Sequence, residues 1–126
     1  MKIYEALDLF REFRADFAAK WGWLRSARFV VSKRTTAPDT KGCKRNLAWA
    51  DTENMRVFLL RRALSLPQAK IEGLILHELG HLVDPLASEQ EADDWAEIAT
   101  GLRVSYDRDG IQTTGRGRHP RPKGLK

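Results

Sequence analysis

The sequence predicts an α+β domain in which a short antiparallel sheet packs on a central apolar helix and on a second helix that follows it. Three observations lead there. The chain has 126 residues, 42% hydrophobic and 31% charged, enough for one buried core and too few for a second full domain. Residues 69–83 are apolar around most of a helical circumference, the mark of a helix at the centre of a fold. Three β-branched and aromatic runs precede that helix: Arg28–Lys33, Leu47–Ala50 and Met55–Leu60.

The elements follow in order. Ile3, Leu7, Phe10, Arg14 and Phe17 recur at helical spacing, with Ala6, Phe13 and Ala18 beside them, so residues 3–20 read as an amphipathic helix closed by Gly22. Arg28–Lys33 reads as a strand, and Thr35–Asn46, with Pro38, Asp39, Gly42 and several bases, as an exposed loop. Leu47–Ala50 and Met55–Leu60 flank Asp51–Asn54 in a hairpin pattern. Pro67 favours a helix start, and Pro85 stops that helix after Asp84. Ser88 and Glu91 form the Ser-x-x-Glu pattern of a capping box, opening a helix to Thr100 that Gly101 ends. Leu102–Tyr106 reads as one more strand. Residues 107–126 are rich in Gly, Arg, Pro and Thr and read as a basic, flexible tail, which leaves 1–106 as the folded domain.

Charge is segregated. The net charge is +5, and the segment Asp107–Lys126 alone, with six bases and two acids, carries +4. Lys20–Arg62 holds eleven bases and three acids, whereas Asp84–Glu97 holds six acids and no base. Anionic partners are expected for the basic regions. A lone Cys43 excludes an internal disulfide framework. No apolar stretch approaches the ~20 residues of a membrane span. Met1–Glu5 lacks an apolar signal-peptide run, so the expected compartment is the cytoplasm.

The acidic stretch gains a meaning from what precedes it. His77-Glu78-Leu79-Gly80-His81 is an HExxH pattern inside the apolar helix. Histidines at i and i+4 share one helix face and converge on one zinc ion, while Glu78 is placed to touch water beside the metal. Burying two imidazoles and a carboxylate in an apolar helix without a metal is costly. Zinc needs a third protein ligand, and Asp84, Glu89, Glu91, Asp93, Asp94 and His119 are the candidates. Glu89 and Asp93 lie one turn apart, with Ala92 and Ala96 small enough for close helix approach. In that arrangement Glu89 ligates and Asp93 orients a histidine. Glu91 is committed to the capping box. Asp84 lies one turn beyond His81, at a helix end where a carboxylate is unfavourable unless paired.

His77–Ala99, about a fifth of the chain, resembles the zinc-binding core of small gluzincin-type metallopeptidases, in which an HELGH helix is followed by an E-x-x-A-D or E-x-x-x-D element. It is also similar to the short phage and mobile-element peptidases of the ImmA/IrrE-like kind, through Glu89-Gln90-Glu91-Ala92-Asp93-Asp94-Trp95-Ala96. The resemblance implies a minimal zincin-like domain over 1–106, Zn2+ as cofactor, His77, His81 and Glu89 as metal ligands, and Glu78 as the catalytic general base of peptide hydrolysis. Seven residues separate His81 from Glu89, fewer than that family pattern leads one to expect. By the same analogy, the strand Met55–Leu60 forms the cleft rim and pairs with an extended substrate. Tyr106 and His119 are the candidates for an oxyanion donor, and each reads first as a plain packing or tail residue.

The remaining features have plainer expectations. Trp21, Trp23, Trp49 and Trp95 are core residues, and Cys43 is a small residue rather than a latent zinc ligand. The expected partners are a protein or peptide substrate and, through the tail Arg116–Lys123, weakly bound nucleic acid. Two other function classes compete. One is a non-catalytic nucleic-acid-binding module with structural zinc, and the other is a protease acting on DNA-bound proteins. Glu78 separates catalysis from structure, because a structural zinc site has no need of it.

Overall fold

The computed structural model describes residues 1–38, 47–107 and 110–113. The first helix, α1 (Ile3–Lys20), buries Ala6, Leu9, Phe10, Phe13 and Phe17 along one stripe. The stripe is rotated from the expected one: Ile3 is 46% exposed and Leu9 takes the inward place. Glu5 closes the start of α1 by accepting from the Lys2 backbone N–H at 2.7 Å. Gly22 does not cap the helix; it opens a 3-10 turn, Gly22–Ser26.

Strands β1 (Arg28–Ser32), β2 (Ala48–Asp51) and β3 (Arg56–Leu60) form a sheet of order β1-β3-β2. β2 and β3 are the expected antiparallel hairpin. β1, however, runs parallel to β3, so the sheet is mixed rather than antiparallel. The physical reason is chain length: parallel neighbours need a crossover of a dozen or more residues. Residues 33–55, which include β2, provide it. Register pairs Phe29 with Val57 and Val31 with Leu59, and this face joins Ala48 and Ala50 in the core. Phe10 stacks on Phe29 at 5.0 Å and ties α1 to the sheet. On the opposite face Trp49 stacks on Phe58 at 4.7 Å.

A 3-10 turn, Arg61–Ser65, leads from β3 into α2 (Gln68–Val83). As its composition requires, α2 is buried on nearly every side, with Ile71, Ile75, Leu76, Leu79 and Leu82 in the core. α3 (Glu89–Thr100) is opened by the expected capping box: the Ser88 N–H donates to Glu91 Oε1 at 2.8 Å and the Glu91 N–H to Ser88 Oγ at 3.1 Å. Gly101, at φ +76°, ends α3 in the left-handed conformation that a side chain disfavours.

A hairpin of β4 (Val104–Asp107) and β5 (Gly110–Thr113) follows, and β5 lies against α2. The expected boundary at 106/107 lies within this hairpin. It falls inside β4, and part of the presumed tail is a strand. Pairing of Tyr106 with Ile111 and of Val104 with Thr113 gives residues 110–113 backbone partners that composition alone did not reveal. The basic stretch 114–126, His119 and Cys43 lie outside the described residues. None of the helices among the described residues is long and apolar enough to cross a membrane.

Candidate metal centre

The site is built by two helices that nearly touch. A Cβ placed on Gly80 would come within 2.1 Å of the Ala92 carbonyl oxygen and 2.7 Å of its carbonyl carbon. No side chain fits there, so glycine is required for the backbone of α3 to lie directly on α2. That contact sets α3 with Glu89 and Asp93 facing the two histidines.

The donor atoms converge. His77 Nε2 lies 3.2 Å from His81 Nε2 and 2.7 Å from Glu89 Oε1, and His81 Nε2 lies 3.3 Å from Glu89 Oε2. One ligand atom from each of the three lies within 4.8 Å of the others, so the group could hold a metal ion. The chemistry of the donor set fits zinc. Two imidazoles and one carboxylate are a known three-ligand set, and bonds of 2.0–2.2 Å in a tetrahedron space the donors about 3.4 Å apart. Asp93 adds the complement. It is buried, and its Oδ1 accepts from His77 Nδ1–H at 2.7 Å. That hydrogen bond selects the tautomer in which Nε2 is the free donor towards a metal.

The site is asymmetric in exposure. His77 and Asp93 side chains are 6% exposed, His81 is half-buried, and Glu89 is 73% exposed, so the cluster opens to solvent on the Glu89 side. Burial pulls the His77 imidazole down, but the Asp93 hydrogen bond and the charges of Glu78, Asp93 and Glu89 outweigh it and raise its pKa to about 9. His81 is lowered by burial and by the neighbouring His77 charge. Glu89 is lowered because His77 and His81 outweigh its partial burial. Glu78 is enclosed in the protein, and burial, opposed by the His77 charge, pushes its carboxyl up to about 7.

The other expected candidates are placed elsewhere. Asp84 caps the loop after α2, accepting from the Leu86 N–H at 2.9 Å. Glu91 is held in the capping box, and Asp94 is exposed and accepts from Gln90 Nε2 at 3.0 Å. β3 sits between β1 and β2 and uses both backbone edges, so it has none left to pair with a substrate. That corrects the expected cleft rim. Of the tryptophans, Trp21 and Trp95 pack edge to face at 5.6 Å, whereas Trp23 is 54% exposed and not core. Two residues went unsingled in the sequence. Gly80 carried a signal, a helix-interior glycine costing ~1 kcal/mol against alanine without evident reason. Glu72, fully buried on α2 with Gln68 Nε2 donating to it at 2.7 Å, carried none.

No family profile and no curated protein matches the sequence. Among solved structures, the fold is similar to the crystal structure of the metallopeptidase zymogen of Pyrococcus abyssi abylysin, at a TM-score of 0.55 and 14% identity. The match covers 75% of this chain and 79% of that one. The α+β architecture with its central helix is thus one that a metallopeptidase also adopts.

Proposed function

We propose that this chain is a zinc-dependent metallopeptidase, a hydrolase of peptide bonds. The observation that carries the reading is the convergence of His77, His81 and Glu89, with Glu78 buried beside them, on a fold similar to that of a metallopeptidase. His77 Nε2, His81 Nε2 and Glu89 hold the metal, and Asp93 orients His77. Zinc, when bound there, lowers the pKa of a water from ~15.7 towards ~7 and polarises the scissile carbonyl. Glu78 takes the proton of the attacking water and passes it to the leaving amine nitrogen. Burial raises the Glu78 carboxyl above the usual carboxylate range, which makes it a stronger base towards water than an exposed glutamate. The exposed Glu89 side is the route of substrate entry, and β2, an edge strand lying against α2, is the element an extended peptide pairs with. The motif resemblance adds a phage-type setting, and the lack of an apolar run in Met1–Glu5 a cytoplasmic one.

The test is Glu78→Gln. The variant should keep about one zinc per chain and lose cleavage of a peptide library by 10²–10⁴-fold or more, because the amide keeps the shape and cannot take a proton. Cleavage at the wild-type rate would show that Glu78 is not the base.

A further inference from the structure

The parallel pairing of β1 with β3 joins two runs of bases that are far apart in sequence. Ser32 and Leu60, the last residues of the two strands, are register partners. The chain therefore leaves both strands at one end of the sheet, as Lys33-Arg34 from β1 and Arg61-Arg62 from β3. All four residues are exposed. Arg62 Nε donates to the Thr35 carbonyl at 3.0 Å, lacing the two segments together, and Arg34 Nε donates to the Thr36 carbonyl at 3.1 Å. No acid occurs in 33–38 or 61–67. Neighbouring strands lie about 4.8 Å apart, so the backbones that carry these bases leave the sheet side by side. A face selected only for solubility would intersperse the signs.

The geometry points to a docking surface for the phosphate backbone of nucleic acid at this end of the sheet. Arginine's planar fork matches phosphate oxygens in pairs, and the exposed Arg61 brings one to this end of the sheet. Duplex DNA carries one charge per ~1.7 Å of axis, about twice the density of an extended acidic peptide at ~3.4 Å per residue, so it is the stronger partner for a patch of bases without acids. Arg61–Ser65 leads into α2, and Gln68 is nine residues from His77 on that helix, about 14 Å of axis. The surface goes beyond the peptidase reading and does not depend on it.

The experiment uses the full chain and a fluorescein-labelled 20-base-pair duplex, with anisotropy followed from 50 to 200 mM KCl. Two variants lose the same charge: Lys33→Gln with Arg61→Gln, and, as control, Lys20→Gln with Arg25→Gln. Arg25 lines a separate groove with Arg11 and Arg14, so the control also tests the rival basic surface. The first variant should flatten the log–log salt slope by about 1.8, so that its deficit against wild type shrinks about tenfold between 50 and 200 mM, and the control should leave the slope within about 0.5 of wild type. If circular dichroism shows the double variant unfolded, each single variant should flatten the slope by about 0.9. Equal losses in both doubles, an unchanged slope in the first, or no binding by the full chain at 50 mM would overturn the assignment. So would displacement of the duplex by polyglutamate at equal charge concentration. Zinc content and peptide cleavage are read on the same proteins. Their failure in a chain that still binds the duplex strikes the peptidase reading and leaves this one standing.

Discussion

His77 shows how one side chain is prepared for a metal. Its Nδ1–H is spent on Asp93, and its Nε2 faces Glu89 and His81. With its pKa raised to about 9, the ring carries a proton at pH 7 that a metal ion bound at Nε2 would have to displace. Zinc binding at pH 7 should therefore release about one proton, visible as a dependence of the calorimetric enthalpy on buffer ionisation heat. The apparent affinity should rise about tenfold per pH unit from 7 and level off near 9, because above that pH no proton remains to compete. A flat profile over this range would mean that the ring is already neutral. Asp93→Ala should weaken zinc 10–100-fold without removing a ligand, since the ring loses its orienting partner. Glu89→Ala should weaken it far more than Glu91→Ala, whose cost is ~1 kcal/mol of helix capping in a denaturant melt. The reverse order in a zinc competition titration would move the third ligand to Glu91.

Among the elements, the α2–α3 contact decides whether the site exists. Intrinsic propensity favours Gly80→Ala by ~1 kcal/mol, because alanine is the better helix former. Packing opposes it, and packing wins: the new methyl meets the Ala92 backbone, which cannot swing aside as a flexible side chain would. The variant should be destabilised by about 3 kcal/mol in urea denaturation and should bind zinc more weakly, since α3 is pushed away with Glu89 and Asp93 on it. Wild-type stability would show that the helices part without cost. The pairing of β5 with β4 and its contact with α2 make a second prediction at this scale. A chain ending at Thr113 should melt close to the full chain, whereas one ending at Tyr106 should melt several degrees lower.

For the whole molecule, the legible and the illegible parts divide by range. The apolar circumference of α2, the Ser88–Glu91 capping box, Gly101 and the β2–β3 hairpin were readable, because each depends on residues within one or two turns of one another. The HExxH spacing was readable for the same reason: i and i+4 on a helix are neighbours whatever the rest of the chain does. Pairing between distant segments was not readable. Nothing in Arg28–Ser32 states that it will lie parallel to β3, because strand direction is set by the 33–55 crossover and by burial of Phe29 and Val31 against Val57 and Leu59. Nothing local in residues 110–113 marks a strand, since its partner and the helix beneath it supply the stabilisation. The rotation of α1, which buries Leu9 and leaves Ile3 out, was likewise decided by what Phe10 and Phe17 met. The sequence by itself determined the residue types of the candidate metal site, their helical spacing and the helices that carry them, all local properties of the chain. Tertiary structure alone decided that Glu89 rather than Asp84 or Glu91 faces the histidines, and that Lys33-Arg34 meets Arg61-Arg62. Both depend on backbones brought together across long stretches of sequence, where close packing, and not propensity, chooses the neighbours.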